Sequence, residues 1–352
     1  MSHRIPVAVL AATGSVGQRF VQLLDQHPWF EVVCLTGSDR SIGQTYSSVC
    51  HWILPEPMPA WARDMVVVPT EAGAVSASLA FSALPSDIAK KVEPLFAQAG
   101  IVICSNASAY RQEEDIPLLL PEVNADHVAL IDTQKVKRSW SGFITTNPNC
   151  TSTGMTVALK ALMDAFGLKR VFAVSLQAIS GAGYPGVASM DILDNAIPFI
   201  EGEEPKVEWE PRKMLGKLEN GHVKLAEVAI SAHTNRVAVS DAHLVCLSIE
   251  LENKASVEEV ESALASYQAP KSASDLPFTP RPIIVVSSQK NRPQPRLDRM
   301  TGKGMTTVVG RVRPDPLFDI KMVVLSHNTI RGAAGGSIYN AELLVKTGYI
   351  TR

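Results

Sequence analysis

Along the first part of the chain, apolar runs of strand length alternate with stretches whose apolar residues recur at helical spacing. "IPVAVLA" is followed by "VGQRFVQLLDQ" and then by "FEVVCLTG", a strand–helix–strand reading. The pattern continues with "DMVVVP" and "LAFSAL" as strands, "SDIAKKVEPLFAQAG" as a helix and "IVICSN" as a strand. Continuous Val/Ile/Leu strands separated by helices predict a parallel sheet covered on both faces. Past residue 150 the strands lengthen ("RVFAVSLQAIS", "HLVCLSIELE", "MTTVVGRVR", "DIKMVVLSH") and long polar connections separate them. That texture predicts a mixed or antiparallel sheet with helices on one side. The closing "GAAGGSIYNAELLVKTGYI" predicts a glycine turn and an amphipathic helix long enough to pack back onto the first domain. The expected α/β architecture therefore has one domain over residues 1–148, joined by the last helix (333–352), and a second over 149–332.

Composition narrows the class. A chain of 352 residues is too long for one ordinary core, which supports two domains. Hydrophobic content of 46% with 19% charged residues is that of a globular protein, and a net charge of −2 gives no reason to expect nucleic acid or an anionic membrane as partner. No apolar run approaches the length of a bilayer span, and the first residues lack a signal-peptide layout. Cys34, Cys50, Cys104, Cys150 and Cys246 are widely spread, odd in number and without metal-type pairing. The expectation is a cytoplasmic protein with free thiols and no metal site.

Two stretches carry candidate chemistry. In "NPNCTSTGMTVALKAL", Thr151 and Ser152 are good N-cap types before an apolar helical pattern, which places Cys150 at a helix N-terminus. Unpaired N–H groups and the helix dipole stabilise a thiolate there, so a lowered thiol pKa is expected. In "VAVLAATGSVGQRF", the turn Thr13, Gly14, Ser15, Val16, Gly17 lies between a strand and a helix. Gly14 and Gly17 let backbone amides approach a pyrophosphate, although Ala11 stands where the usual first glycine would be. The second strand ends in "LTGSDRS" without a terminal acid, and Ser38 with Arg40 suits a 2′-phosphate, favouring NADP; Asp39 in the same loop would instead read the ribose hydroxyls. A cysteine nucleophile beside a nicotinamide suggests aldehyde oxidation through a thiohemiacetal and a thioester, released by a second nucleophile. Such a site calls for a proton shuttle near pKa 7. Composition does not choose among His3, His27, His51, His127, His222, His233, His243 and His327.

Eight ordered blocks, "AATGSVGQRF", "SNASAYR", "PEVN", "NPNCTSTG", "QAISGAGYPG", "EGEEPK", "NRVAVSDAH" and "NTIRGAAGG", resemble aspartate-semialdehyde dehydrogenases, the archaeal and fungal branch above all, over essentially the whole chain. The resemblance implies a Rossmann-type NADP-binding domain and an α+β catalytic and dimerisation domain resembling that of glyceraldehyde-3-phosphate dehydrogenases. It implies Cys150 as nucleophile, Gln177 orienting the substrate or its oxyanion, and His243 as acid–base. Arg236 would hold the substrate α-carboxylate and Glu203 its ammonium, with Glu201 and Glu204 as alternatives. Lys206 and Arg111 would bind phosphate, and Asn149 joins the substrate set. Ser82, Leu84 and Asn328 would line the nucleotide pocket, with Gly181 and Gly332 allowing close backbone approach.

The implied reaction is NADPH-dependent reductive dephosphorylation of L-4-aspartyl phosphate to L-aspartate 4-semialdehyde, toward threonine, methionine, isoleucine, lysine and diaminopimelate. A malonyl-CoA (CoA-thioester) reductase of the same fold would not need Arg111, Glu203 and Lys206 together; a non-catalytic NADP-binding protein would not need Cys150, Gln177, Arg236 and His243. The family commonly reads R-V-P-V-x-x-G-H where this chain has Ala238 and Ala242. The basic segment 290–304 suggests a subunit contact or solvated loop, and a homodimer or homotetramer is expected.

Overall fold

The computed structural model describes residues 4–351, so His3 lies outside the described residues. The first sheet is all parallel, in the order β2 (Phe30–Leu35), β1 (Ile5–Leu10), β3 (Leu79–Ser82), β4 (Val102–Ser105), β5 (Ile144–Thr146). Strand order reverses between β1 and β3, the place where such sheets hold ligands beyond their carboxyl ends. The helix Ser15–Leu23 leaves β1 at that point, and β3, β4 and β5 are buried throughout. "DMVVVP" does not form the expected strand. Val68 N–H bonds Leu35 O while Val67 N–H bonds Gln44 O, so successive residues serve different neighbours and only isolated bridges result.

The second sheet has seven strands. In chain order they are β6 (Leu168–Gln177), β7 (Ala196–Ile197), then, after the separate hairpin β8 (Lys217–Glu219) and β9 (His222–Lys224), β10 (Ala229–Val237), β11 (His243–Leu251), β12 (Ile284–Ser287), β13 (Thr307–Pro314) and β14 (Ile320–Ser326). Their order in space is β12-β13-β14-β11-β6-β10-β7. The pairs β6/β10 and β12/β13 are parallel and the rest antiparallel, the mixed type expected. Helices Cys150–Phe166, Glu203–Met214 and Val257–Ala265 cover one face, sharing a core with Val171, Val245 and Val324. Alternate residues on the other face stay partly exposed, Leu176 and Cys246 among them.

The C-terminal segment departs from the expectation. Helical structure begins ahead of the supposed glycine turn, as a π-helix over Ile330–Ala334 that runs into the helix Gly335–Lys346. This helix is not amphipathic, because Gly335 through Leu344 are all buried. Ile338, Tyr339, Leu343 and Leu344 share a core with Val7, Phe20 and Phe81 of the first sheet and its helix. Gly336 allows the fit: a Cβ there would lie 2.4 Å from Arg331 O and 2.7 Å from Asn147 Oδ1.

Candidate active site

Shortly after the carboxyl end of β5 the chain enters the helix Cys150–Phe166, which packs on the second sheet. Its N-cap is Asn149 rather than Thr151 or Ser152: Asn149 Oδ1 accepts from Thr151 N–H at 2.9 Å and Ser152 N–H at 3.1 Å. Cys150 is thus the first helical residue. It lines a cleft of about 660 Å³ together with Arg111, Asn149, Gln177, Glu203, Lys206, Arg236 and Asn328. These residues lie far apart in sequence; the end of β6 supplies Gln177, β10 supplies Arg236, and the helix Glu203–Met214 supplies Glu203 and Lys206.

His243 begins β11 and is the histidine at the thiol, with Nε2 3.2 Å from Cys150 Sγ. Its Nδ1 accepts Ala178 N–H at 3.0 Å, so in the neutral ring the proton sits on Nε2, facing the sulfur. Burial drives the imidazole pKa down to about 3, not near 7 as the sequence suggested. Cys150 also corrects its expectation. Burial in the cleft pushes the thiol up to about 12, with Glu203 adding to the rise, while Arg111 and Arg236 pull it down. Desolvation of the anion outweighs the helix terminus in the open cleft.

Glu203, at the first turn of its helix, accepts from Asn149 Nδ2 (2.9 Å) and Gln177 Nε2 (3.1 Å), and its other oxygen lies 3.6 Å from Lys206 Nζ. Burial works to raise the Glu203 carboxyl, but the Asn149 bond, Lys206 and Gln177 hold it below the ordinary carboxylate range. Glu204 instead accepts the Thr234 N–H, and Glu201 is exposed at the cleft edge. Gln177 Nε2 donates to both Glu203 and Ser175 Oγ (3.2 Å). Both amide protons are therefore engaged, and what remains is an acceptor oxygen, which does not suit an oxyanion. Arg236 gives one Nη1 bond to Ala178 O (2.8 Å) and fits beneath Gly181, where a Cβ would sit 2.8 Å from that Nη1.

On the opposite wall Arg111 is held by Glu210 (2.8 Å) and Asn106 O (2.7 Å). Glu210 went unread in the sequence, as did the buried bidentate pair Arg331–Glu122, at 3.0 and 2.6 Å, which fixes the π-helix. Gly332 in that π-helix abuts Cys150: a Cβ there would lie 2.7 Å from Cys150 Cβ. Asn328 bonds Ala242 N–H and Ser180 Oγ, both at 2.8 Å.

The turn over residues 13–17 after β1 sits next to this cleft, with Ser15 and Val16 lining it. Gly14 caps the helix Ser15–Leu23 without a side-chain bond, which leaves the first N–H groups free for an anion. Gly17 packs helix on strand, since a Cβ would fall 2.3 Å from Ala11 O. Thr13 contributes its carbonyl to Gln18 Nε2 (2.9 Å). Ser38 and Arg40 lie exposed in the loop after β2, outside the cleft. Ser82 and Leu84 are buried and do not line it.

Against known proteins, residues 6–131 match the family model described as semialdehyde dehydrogenase, NAD binding domain, and residues 159–331 match semialdehyde dehydrogenase, dimerisation domain. The aspartate-semialdehyde dehydrogenase of Archaeoglobus fulgidus is 50% identical over 97% of this chain and 98% of its own length. The chain belongs to the aspartate-semialdehyde dehydrogenase family. Another family member, from Saccharomyces cerevisiae, is 44% identical over 99% of this chain and all of its own. The Candida albicans aspartate semialdehyde dehydrogenase solved with NADP superposes with a TM-score of 0.91 at 41% identity, covering 99% of this chain and 100% of that one. The Vibrio cholerae aspartate semialdehyde dehydrogenase II complexed with ASA gives 0.78 at 25% identity, over 98% and 99%.

Proposed function

We propose that this chain reduces L-4-aspartyl phosphate to L-aspartate 4-semialdehyde and phosphate with NADPH, the step that feeds threonine, methionine, isoleucine and lysine synthesis. The observation that carries the reading is the 3.2 Å contact of Cys150 Sγ with His243 Nε2 on the floor of a cleft walled by Arg236, Glu203, Lys206 and Arg111. The nucleotide turn fits the cofactor: uncapped N–H groups at Ser15–Gly17 suit the pyrophosphate, and Ser38 with Arg40 suits the 2′-phosphate. When bound, NADPH supplies the hydride that turns an acyl group into an aldehyde.

The chain's own groups do the rest. Arg236 takes the α-carboxylate in a planar fork and Glu203 the ammonium, a two-point clamp that aims C4 at Cys150. Attack by the sulfur forms a C–S bond as the C–O bond to phosphate breaks; the thiol proton leaves with the phosphate, which Arg111 and Lys206 receive. Gln177 holds Glu203 in place and offers its oxygen to the ammonium. The alkoxide left by reduction at C4 meets the Nε2 proton of His243. Its collapse frees the aldehyde and returns the sulfur as thiolate to that same proton. A full acid–base relay through His243 would require giving up the Ala178 bond at Nδ1.

The half-exposed face of the seven-stranded sheet and the match to a dimerisation domain support a homo-oligomer, dimer or tetramer. No helix among the described residues is long and apolar enough to cross a membrane. The test follows NADP reduction with aspartate semialdehyde, with and without phosphate. Turnover that needs phosphate supports the reading; efficient reduction of malonyl-CoA with no action on aspartyl phosphate overturns it.

A further inference from the structure

Glu203, Lys206, Glu210 and Lys213 follow one another at intervals of three, four and three, so they share one face of the helix Glu203–Met214. That face is charged where an apolar stripe would be expected, and three of the four residues are buried. Glu203 and Lys206 reach the cleft, as described above. The other two reach the loop that carries Arg111. Lys213 Nζ donates to the carbonyls of Arg111 (2.8 Å), Glu113 (2.7 Å) and Ile116 (2.9 Å), pinning the loop by its backbone. Glu210 holds the side chain. Its Oε1 accepts from Arg111 Nη1 at 2.8 Å, and its Oε2 accepts the backbone N–H of Asn149 at 2.6 Å. One buried carboxylate thus joins the guanidinium on the far wall to the residue that caps the nucleophile's helix.

We propose that Glu210 is a positioning residue that ties Arg111 to the N-cap of the Cys150 helix and tempers its charge toward phosphate. The inference rests on the reading of phosphate as leaving group and second nucleophile. An unpaired guanidinium in the cleft would hold phosphate strongly in a site of low dielectric, and product would leave slowly. Pairing with Glu210, whose carboxyl burial pushes up and Arg111 pulls back down, offsets that charge while leaving Arg111 with N–H groups to spare. The same carboxylate keeps Asn149 in register, so the phosphate site and the sulfur move as one body.

Glu210→Gln separates the two tasks. Its amide oxygen still accepts the Asn149 N–H, but its NH₂ then faces Arg111 Nη1, donor against donor, and the guanidinium is left unneutralised. In aldehyde oxidation the KM for phosphate should fall roughly three- to tenfold, the size of effect expected from unmasking one partly buried charge. The KM for aspartate semialdehyde should stay within about twofold, because Arg236 and Glu203 are untouched. Phosphate should also become a stronger product inhibitor of the reductive reaction. Glu210→Asp, which keeps the charge on a shorter arm, should fall between wild type and Glu210→Gln, and it decides the matter alone if the amide variant does not fold. A phosphate KM that is unchanged or raised in a folded variant overturns the proposal and leaves Glu210 a purely structural brace. Wild-type turnover indifferent to phosphate would instead sink the functional reading beneath it.

Discussion

At Cys150 two effects oppose each other, and the sequence displays only one of them. The helix N-terminus is legible in "NPNCTSTG"; the desolvation that lifts the thiol to about 12 arises from packing against residues distant in sequence. The sign follows directly. Thiolate is the reacting form, and its fraction grows about tenfold per pH unit below the pKa. Alkylation of Cys150 by iodoacetamide in the free enzyme should therefore keep rising from pH 7 to 10. A plateau above neutrality would show a depressed pKa instead. His243 teaches the same lesson: its place seven residues after Arg236 is visible in the sequence, but the Ala178 bond that fixes its tautomer is not. At the nucleotide end, Arg40→Ala should weaken NADP by roughly 2 kcal/mol and leave NAD little changed, typical of one charge-assisted contact. Equal losses for both cofactors, measured by titration, would direct attention to Asp39. The departures at Ala11 and Ala242 become intelligible too. Both have left-handed backbone, φ 57° and 80°, where glycine is favoured. For Ala242→Gly, relief of about 1–2 kcal/mol of strain is offset by about 0.4–1 kcal/mol of unfolded-state entropy. Loss of a fully buried methyl takes about 0.8 kcal/mol more. The sum is near zero, so thermal denaturation should show a change under about 1 kcal/mol. A loss above about 2 kcal/mol would mean that the methyl packs far better than this.

Among the elements, strands and helices with clean periodicity were readable, and the failures have specific causes. "DMVVVP" has strand composition, yet its successive amides bond different partners and no ladder forms. The last helix is buried all round because its glycines let neighbouring backbone and side chains come close, a contact that periodicity does not encode. The charged face of the helix Glu203–Met214 was present at readable spacing, but surface solvation explains such spacing equally well until burial is known. The π-helix is the element most exposed to test. Gly332→Ala would press a methyl into the backbone of Cys150, displacing the nucleophile or the turn by a few tenths of an ångström or more. A fall in kcat is expected, reaching on the order of a hundredfold if the displacement approaches about 1 Å. Stopped-flow rates and a cofactor titration check this, and wild-type kcat would show that the turn yields without cost to the sulfur.

Across the whole molecule, the two-sheet architecture was legible from texture, and the gathering of the site came from ordered blocks rather than from any one motif. Residues 111, 150, 177, 203, 206, 236 and 243 meet at one cleft because β5 feeds the helix that begins at Cys150, while β6, β10 and β11 lie side by side with their site ends together. What stayed hidden is the allocation of hydrogen bonds within that cleft, which depends on ångström geometry. Covalent catalysis at Cys150 is open to a single-turnover experiment. Mixing the enzyme with aspartate semialdehyde and NADP in the absence of phosphate should give a burst of about one NADPH per site, then near arrest. The peptide containing Cys150 should carry an aspartyl thioester by mass spectrometry, and added phosphate should release it and restore turnover. Steady turnover without phosphate, or a burst with Cys150 unmodified, would contradict the account.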